Sequence, residues 1–120
     1  MPIELWGDAQ QSRSFTWVGD AVEGMIRLMA SNYFKPLNIA SAETITIENL
    51  FELICQKAFK IIAWVPSDGP VGPRSRGSDN ALCKHVLDWE PTTPLADKIG
   101  ETYAWVSLQC LQKGLTKAHP

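Results

Sequence analysis

Residues 5–24 read LWGDAQQSRSFTWVGDAVEG, and the change of period inside this stretch decides the fold. Just upstream and into it, Ile3-Glu4-Leu5-Trp6 alternates and then meets Gly7-Asp8, the pattern of a strand followed by a turn. Residues 14–18, Ser-Phe-Thr-Trp-Val, alternate again and predict a second short strand. From Gly19-Asp20 the spacing lengthens. Val22, Met25, Ile26 and Met29 fall at i, i+3, i+4 and i+7, one face of an amphipathic helix with Asp20 in its first turn. Between the turn and the second strand lies Arg13, flanked by Gln11, Ser12 and Ser14. It is either a solvated strand charge or a side chain that points into a cleft and holds an anion.

Further along, Pro36 ends the segment after the helix and Leu37-Asn38-Ile39 reads as a short buried strand. Thr46 is a good N-cap for a second helix, with Glu48 in its first turn and an apolar stripe of Ile47, Leu50, Phe51, Ile54 and Cys55. Residues 61–65, Ile-Ile-Ala-Trp-Val, predict a strand ending at Pro66. The segment 66–78, PSDGPVGPRSRGS, holds three of the eight prolines and three of the eight glycines and reads as one long irregular loop. A third helix is expected over about 79–88, closed by Trp89-Glu90-Pro91. The last and longest covers 95–113, with Ile99, Tyr103, Val106 and Cys110 on one face, and residues 114–120 read as a frayed tail. This order describes one α/β unit over 1–113, rich in helix and poor in sheet.

Composition narrows the function. The 120 residues are 45% hydrophobic, enough for one core, and carry 11 basic against 13 acidic side chains. A nucleic-acid protein would show a basic surplus, so none is expected as partner. No apolar run approaches the roughly 18 residues of a membrane span, and MPIELWGD lacks the pattern of a leader. Cys55, Cys83 and Cys110 are odd in number and widely spaced, and read as buried thiols of a reducing compartment. The expected address is cytoplasmic.

The motifs of a self-sufficient enzyme are missing from the sequence. It has no glycine-rich dinucleotide fingerprint, no phosphate loop and no HExxH, and His85 and His119 are badly placed to share a metal. Two arginine-bearing segments remain: Gln11-Ser12-Arg13, and Arg74-Ser75-Arg76 leading to Ser78-Asp79-Asn80. Arginine offers a planar fork of donors that matches phosphate, so two such loops converging would suit a diphosphate. From spacing alone an RxR in a loop favours solvated charge for Arg74 and Arg76.

These residues carry a family likeness. The succession WGD-x-x-Q-[ST]-R-S-F-T, A-V-E-G-M-I-R-L, P-L-N-I-A-S, G-P-x-G-x-R-x-R-x-S-D-N and W-x-P resembles the C-terminal part of the extended short-chain dehydrogenase/reductases, the NAD-dependent epimerase/dehydratase family. Among these it is most similar to the GDP-mannose 3,5-epimerases, which link GDP-D-mannose to GDP-L-galactose and ascorbate synthesis. The likeness runs from about Glu4 to about Lys113. It implies an α/β fold: a small, helix-rich substrate-binding lobe with short strands, without the Rossmann half. That half would hold NAD in a full-length family enzyme, and this chain alone would bind no cofactor.

Carried over residue by residue, the resemblance implies that Gln11, Ser12 and Arg13 contact substrate, that Arg76 contacts the GDP-sugar, and that Arg74 has a less defined part in the same loop. Arg13 and Arg76 are then expected to clamp the nucleotide diphosphate from two sides. No catalytic residue and no metal ligand is assigned. The implied function is the GDP-mannose-binding lobe of an isomerase, not catalytic by itself. The alternatives are the lobe of another NAD-dependent nucleotide-sugar epimerase, dehydratase or decarboxylase, or a non-catalytic binding fragment. The implied partners are the nucleotide-sugar and either the Rossmann half or a second copy meeting an exposed face. Three departures stand out. Gly19 replaces an acidic residue expected to cap the helix, Asp88 replaces a glycine at a left-handed position before Trp89, and Ser12 replaces threonine.

Overall fold

A computed structural model describes residues 1–115. The elements in order are β1 (Ile3–Trp6), β2 (Ser12–Ser14), α1 (Val18–Ala30), β3 (Thr44–Thr46), α2 (Ile47–Lys57), β4 (Trp64–Ser67), β5 (Ser75–Arg76), α3 (Ala81–Leu87) and α4 (Leu95–Gln112). They make two small sheets. β1 pairs in parallel with β4, Ile3 opposite Trp64. β2 is the centre of the other sheet, antiparallel to β3 and parallel to β5, with Arg13 opposite Ile45 on one side and Arg76 on the other.

The helices follow the sequence cues most closely where a side chain closes the first turn. Thr46 has extended backbone angles, and its Oγ1 accepts from the Asn49 amide at 3.2 Å. The preceding two amides of α2 donate to the carbonyls of Gln11 and Ala9, which ties the helix start to the loop before β2. α2 then packs its apolar stripe on α4, where Ile99, Tyr103 and Cys110 are half-buried.

The strands differ from expectation. The second strand occupies 12–14 instead of 14–18, because Thr16 and Trp17 leave the sheet. Thr16 Oγ1 accepts from the Ser41 amide, and Trp17 becomes the N-cap of α1. Residues 37–39 form no strand. The backbone just after them bonds to side chains: the Ala40 carbonyl accepts from Asn80 Nδ2 at 2.6 Å and the Ser41 carbonyl from Ser14 Oγ at 2.7 Å. The fourth strand is shifted to 64–67 and runs through Pro66, which an edge strand tolerates because its missing N–H can face away from the neighbour. The 66–78 segment is not wholly irregular, since β5 lies in it.

Two local features correct the reading of the departures. Gly19 is inside α1, not at its cap. The Trp17 ring lies across it so closely that a Cβ would sit 2.2 Å from the ring, so glycine is required by contact and not by capping. Asp88 adopts the left-handed conformation itself, φ 48°, a region Asp tolerates better than most side chains. The tail expected over 114–120 lies largely outside the described residues.

The core is thin. Ala9 and Cys83 are the fully buried apolar residues among those described, and the apolar face of α1 looks outward. The accessible surface is 8765 Å², against about 6,500 Å² for a monomer of this mass. The radius of gyration is 17.3 Å, against about 14 Å for a compact chain of this length.

Candidate functional site

The site is built on β2. Gln11, 7% exposed, donates from Nε2 to the Trp6 carbonyl at 3.1 Å, while its Oε1 is buried with no partner. A buried amide oxygen left unsatisfied costs about 1–3 kcal/mol, so this acceptor is ready for a donor. Ser12 and Ser75 meet hydroxyl to hydroxyl at 2.9 Å, and the Ser12 amide donates to the Arg74 carbonyl at 2.9 Å. These bonds lock the 66–78 segment onto β2.

Arg13 is half-buried. Its guanidinium donates to the Ser12 carbonyl and to the Val71 carbonyl, each at 2.7 Å. Gly72 makes that approach possible: its φ is +67°, and a Cβ there would lie 3.3 Å from Arg13 Nη2. Arg76 stands directly across the β2–β5 ladder from Arg13. Paired residues of neighbouring strands leave the same face of a sheet, so the two arginines are side by side and not opposed across a cleft. Arg76 is exposed and makes no hydrogen bond or ion pair among the described residues.

Arg74 is differently placed. Its Nη1 reaches both oxygens of Asp8 at 2.9 Å. Asp8 also accepts from the Gln10 amide at 3.0 Å. That amide and then the Arg74 guanidinium hold the Asp8 carboxyl below its usual value, against a small opposing effect of burial. Arg74 thus fastens the loop to the β1–β2 turn. Asp8 escaped the sequence reading as its partner because nothing in local spacing links positions 66 residues apart. The exposed WGD turn was the one available signal.

The first three amides of α2 are taken by Gln11, Ala9 and Thr46, so that helix start leaves no free donor for a pyrophosphate. Two open clefts, of about 420 and 530 Å³, lie between Ser41–Glu43 and Glu90–Pro94 and beside α2, away from the arginines. The face bearing Arg13 and Arg76 is open surface. Among the described residues no three His, Cys, Asp or Glu side chains gather as metal ligands, and no helix is long and apolar enough to cross a membrane.

The chain is 40% identical over 107 residues to GDP-mannose 3,5-epimerase 1 of Oryza sativa subsp. indica, and 38% identical over 107 residues to GDP-mannose 3,5-epimerase of Arabidopsis thaliana. Each match takes in 89% of this chain and 28% of the relative, its C-terminal part. The chain matches the C-terminal part of an NAD-dependent epimerase/dehydratase. The fold is also that of part of a solved UDP-glucuronic acid 4-epimerase from Bacillus cereus in complex with UDP-glucuronic acid and NAD. There the TM-score is 0.82 at 20% identity, covering 90% of this chain and 36% of that one. No protein-family model matches the chain. It spans little more than a quarter of the length of the curated relatives it matches.

Proposed function

We propose that the chain is the nucleotide-sugar-binding lobe of a GDP-mannose 3,5-epimerase-like isomerase, one that converts GDP-D-mannose to GDP-L-galactose when a dinucleotide-binding part completes it. The observation that carries this reading is the pairing of Arg13 and Arg76 on one sheet face, with Arg76 unpartnered among the described residues. Two guanidinium groups held by one ladder can each take a phosphate of a diphosphate, one already oriented by the Val71 carbonyl and one free to swing. Gln11, just before β2, supplies its unpaired Oε1 as an acceptor for the sugar or ribose, and Ser12, on the face opposite Arg13, contributes by holding β5 in register through Ser75. Arg74 acts through Asp8, shaping the loop, and touches ligand less than Arg76 does.

The lobe alone does no chemistry in this reading. NAD belongs to the completed enzyme, where it exchanges hydride with the sugar; the residues here bind and orient. The 38–40% identity to plant GDP-mannose 3,5-epimerases favours GDP-sugars over UDP-sugars. The three unpaired cysteines support a reducing, cytoplasmic setting.

Amide nitrogen–proton NMR of the 120-residue chain, titrated with GDP-mannose and then UDP-glucose, tests this. Expected are shifts confined to residues 10–15 and 71–78 that favour the GDP-sugar, and their loss in Arg76→Ala. A dispersed spectrum that neither ligand moves refutes binding by the lobe. Stronger shifts with UDP-glucose would move the assignment to a uridine-sugar enzyme.

A further inference from the structure

The strap between β4 and β5 is fastened to the end of β1 by two reciprocal contacts. It reads Gly69-Pro70-Val71-Gly72-Pro73, and the ring of each proline fixes one of its backbone angles. Beside it, the β1–β4 ladder closes with the Gly7 amide donating to the Ser67 carbonyl at 2.8 Å. The Trp6 ring lies against Gly69, where a Cβ would stand 2.5 Å from its Cγ. In return Val71 lies against Gly7, where a Cβ would stand 2.7 Å from Val71 Cγ1. Each side thus offers a glycine to a side chain of the other. Gly7 also has φ +69°, so its backbone as well as its contact disfavours a side chain. The strap clasped in this way turns the Val71 carbonyl onto Arg13 Nη2, at 2.7 Å.

We infer that Val71 is a positioning residue for Arg13: seated on Gly7, it holds its carbonyl on the guanidinium and sets the arginine in place before an anion arrives. This rests on the reading of Arg13 as a phosphate ligand. The other acceptor, the Ser12 carbonyl, is adjacent in sequence and moves with the arginine itself. The Val71 carbonyl comes from 58 residues away and is fixed by the clasp, so it ties the tip of the side chain to a second part of the fold. One carbonyl on each terminal nitrogen defines the plane of the guanidinium and leaves its remaining N–H groups for a phosphate. Neither acceptor is a carboxylate, so the positive charge is not neutralised by its own support. Arg76, directly across the ladder, has no such hold among the described residues. One arginine of the pair is therefore set and the other is free. Ordering a long side chain at the moment of binding lowers affinity, and a fold that has already ordered it avoids that loss.

Nitrogen NMR of the arginine side chains in the intact 120-residue chain, without ligand, measures the hold. Arg13, identified by its loss in Arg13→Lys, is expected to show hindered rotation of its guanidinium, and Arg76 the averaged signal of a free side chain. Val71→Ala empties the seat on Gly7 but keeps the carbonyl, and should bring Arg13 to the averaged form. Val71 is partly exposed in a loop, so this variant stays folded. Val71→Thr has the same branched shape and should leave Arg13 hindered. GDP, which carries the diphosphate without the sugar, should bind Val71→Ala about 3- to 10-fold more weakly and Val71→Thr as tightly as the unchanged chain. An Arg13 signal averaged in the unchanged chain, or still hindered in Val71→Ala, overturns the inference. So does a GDP affinity that Arg76→Ala lowers and Val71→Ala does not. An Arg13 that Val71→Ala releases, in a chain that binds no GDP, would refute the nucleotide-binding reading while upholding the hold of Val71 on Arg13.

Discussion

Replacing Gly24 with alanine sets two effects of known size against each other. In a helix interior, alanine is better than glycine by about 1 kcal/mol, through backbone entropy lost on folding. At Gly24, though, the new Cβ would stand 2.5 Å from Ile39 Cγ2 and 2.9 Å from the Trp89 ring. Neither neighbour yields easily. Ile39 is β-branched and stiff, and Trp89 is held by Arg27 above it and by the Cys83 thiol, 3.4 Å from its carbonyl. Overpacking of this kind costs about 1–3 kcal/mol, so Gly24→Ala should destabilise by about 1 kcal/mol net. Gly100 supplies the control. It lies inside α4, and a methyl group added there would have nothing within 4 Å, so Gly100→Ala should stabilise by about 0.8 kcal/mol. Urea unfolding followed by far-ultraviolet circular dichroism at one protein concentration reads both. Opposite signs support the packing of α1 on Ile39 and Trp89. Stabilisation by both substitutions would refute it and place α1 off that surface.

Three further outcomes follow from the site and its supports. Asn80→Ala removes the 2.6 Å bond to the Ala40 carbonyl and the acceptor for Ser78, both inside, and should cost about 1–3 kcal/mol in the same assay. Asp8 has a folded-state pKa below its unfolded one, so its contribution to loop closure is present above about pH 4 and disappears as pH falls through the lower folded value. Hydrogen-exchange protection factors of 66–78, corrected for the intrinsic pH dependence of exchange, should therefore be unchanged from neutral pH down to that point, and Asp8→Asn should open the loop at neutral pH. Burial, and secondarily the Glu90 charge, push the Cys83 thiol up, so iodoacetamide at mildly alkaline pH should modify Cys55 and Cys110 well before Cys83. Equal labelling of all three would mean the α3 region opens freely.

What the sequence revealed, and what it hid, follows from range. Helices announce themselves locally: the Thr46 cap and the 3.6-residue spacing of Leu50, Ile54 and their neighbours require nothing from elsewhere in the chain. The strands have no such local definition. β2 extends only as far as Thr44–Thr46 and Ser75–Arg76 accompany it, so its ends were decided by segments 30 and 60 residues away, and three residues leave little period to detect. The arginine pair was legible as motif but not as geometry, because the register that sets Arg13 beside Arg76 is a property of the ladder. Arg74 and Asp8 show the same limit. Periodicity also told which residues of α1 share a face without telling whether anything covers it, since amphipathicity is identical for a core helix and an unpartnered one.

The parallel pairing of β1 with β4 bears on how this chain is made. Ile3 cannot find its hydrogen-bonding neighbour until Trp64 has been synthesised, whereas Ser12 meets Thr46 sooner. At translation rates of about 5–20 residues per second, the nascent chain carries β1 unpaired for several seconds. Through that interval Leu5 and Trp6 lie open beside an unsatisfied backbone edge, which is the form most readily captured by a chaperone or by another nascent copy. Yield should therefore depend less on final stability than on what meets β1 while the sixty residues that follow it are still being added.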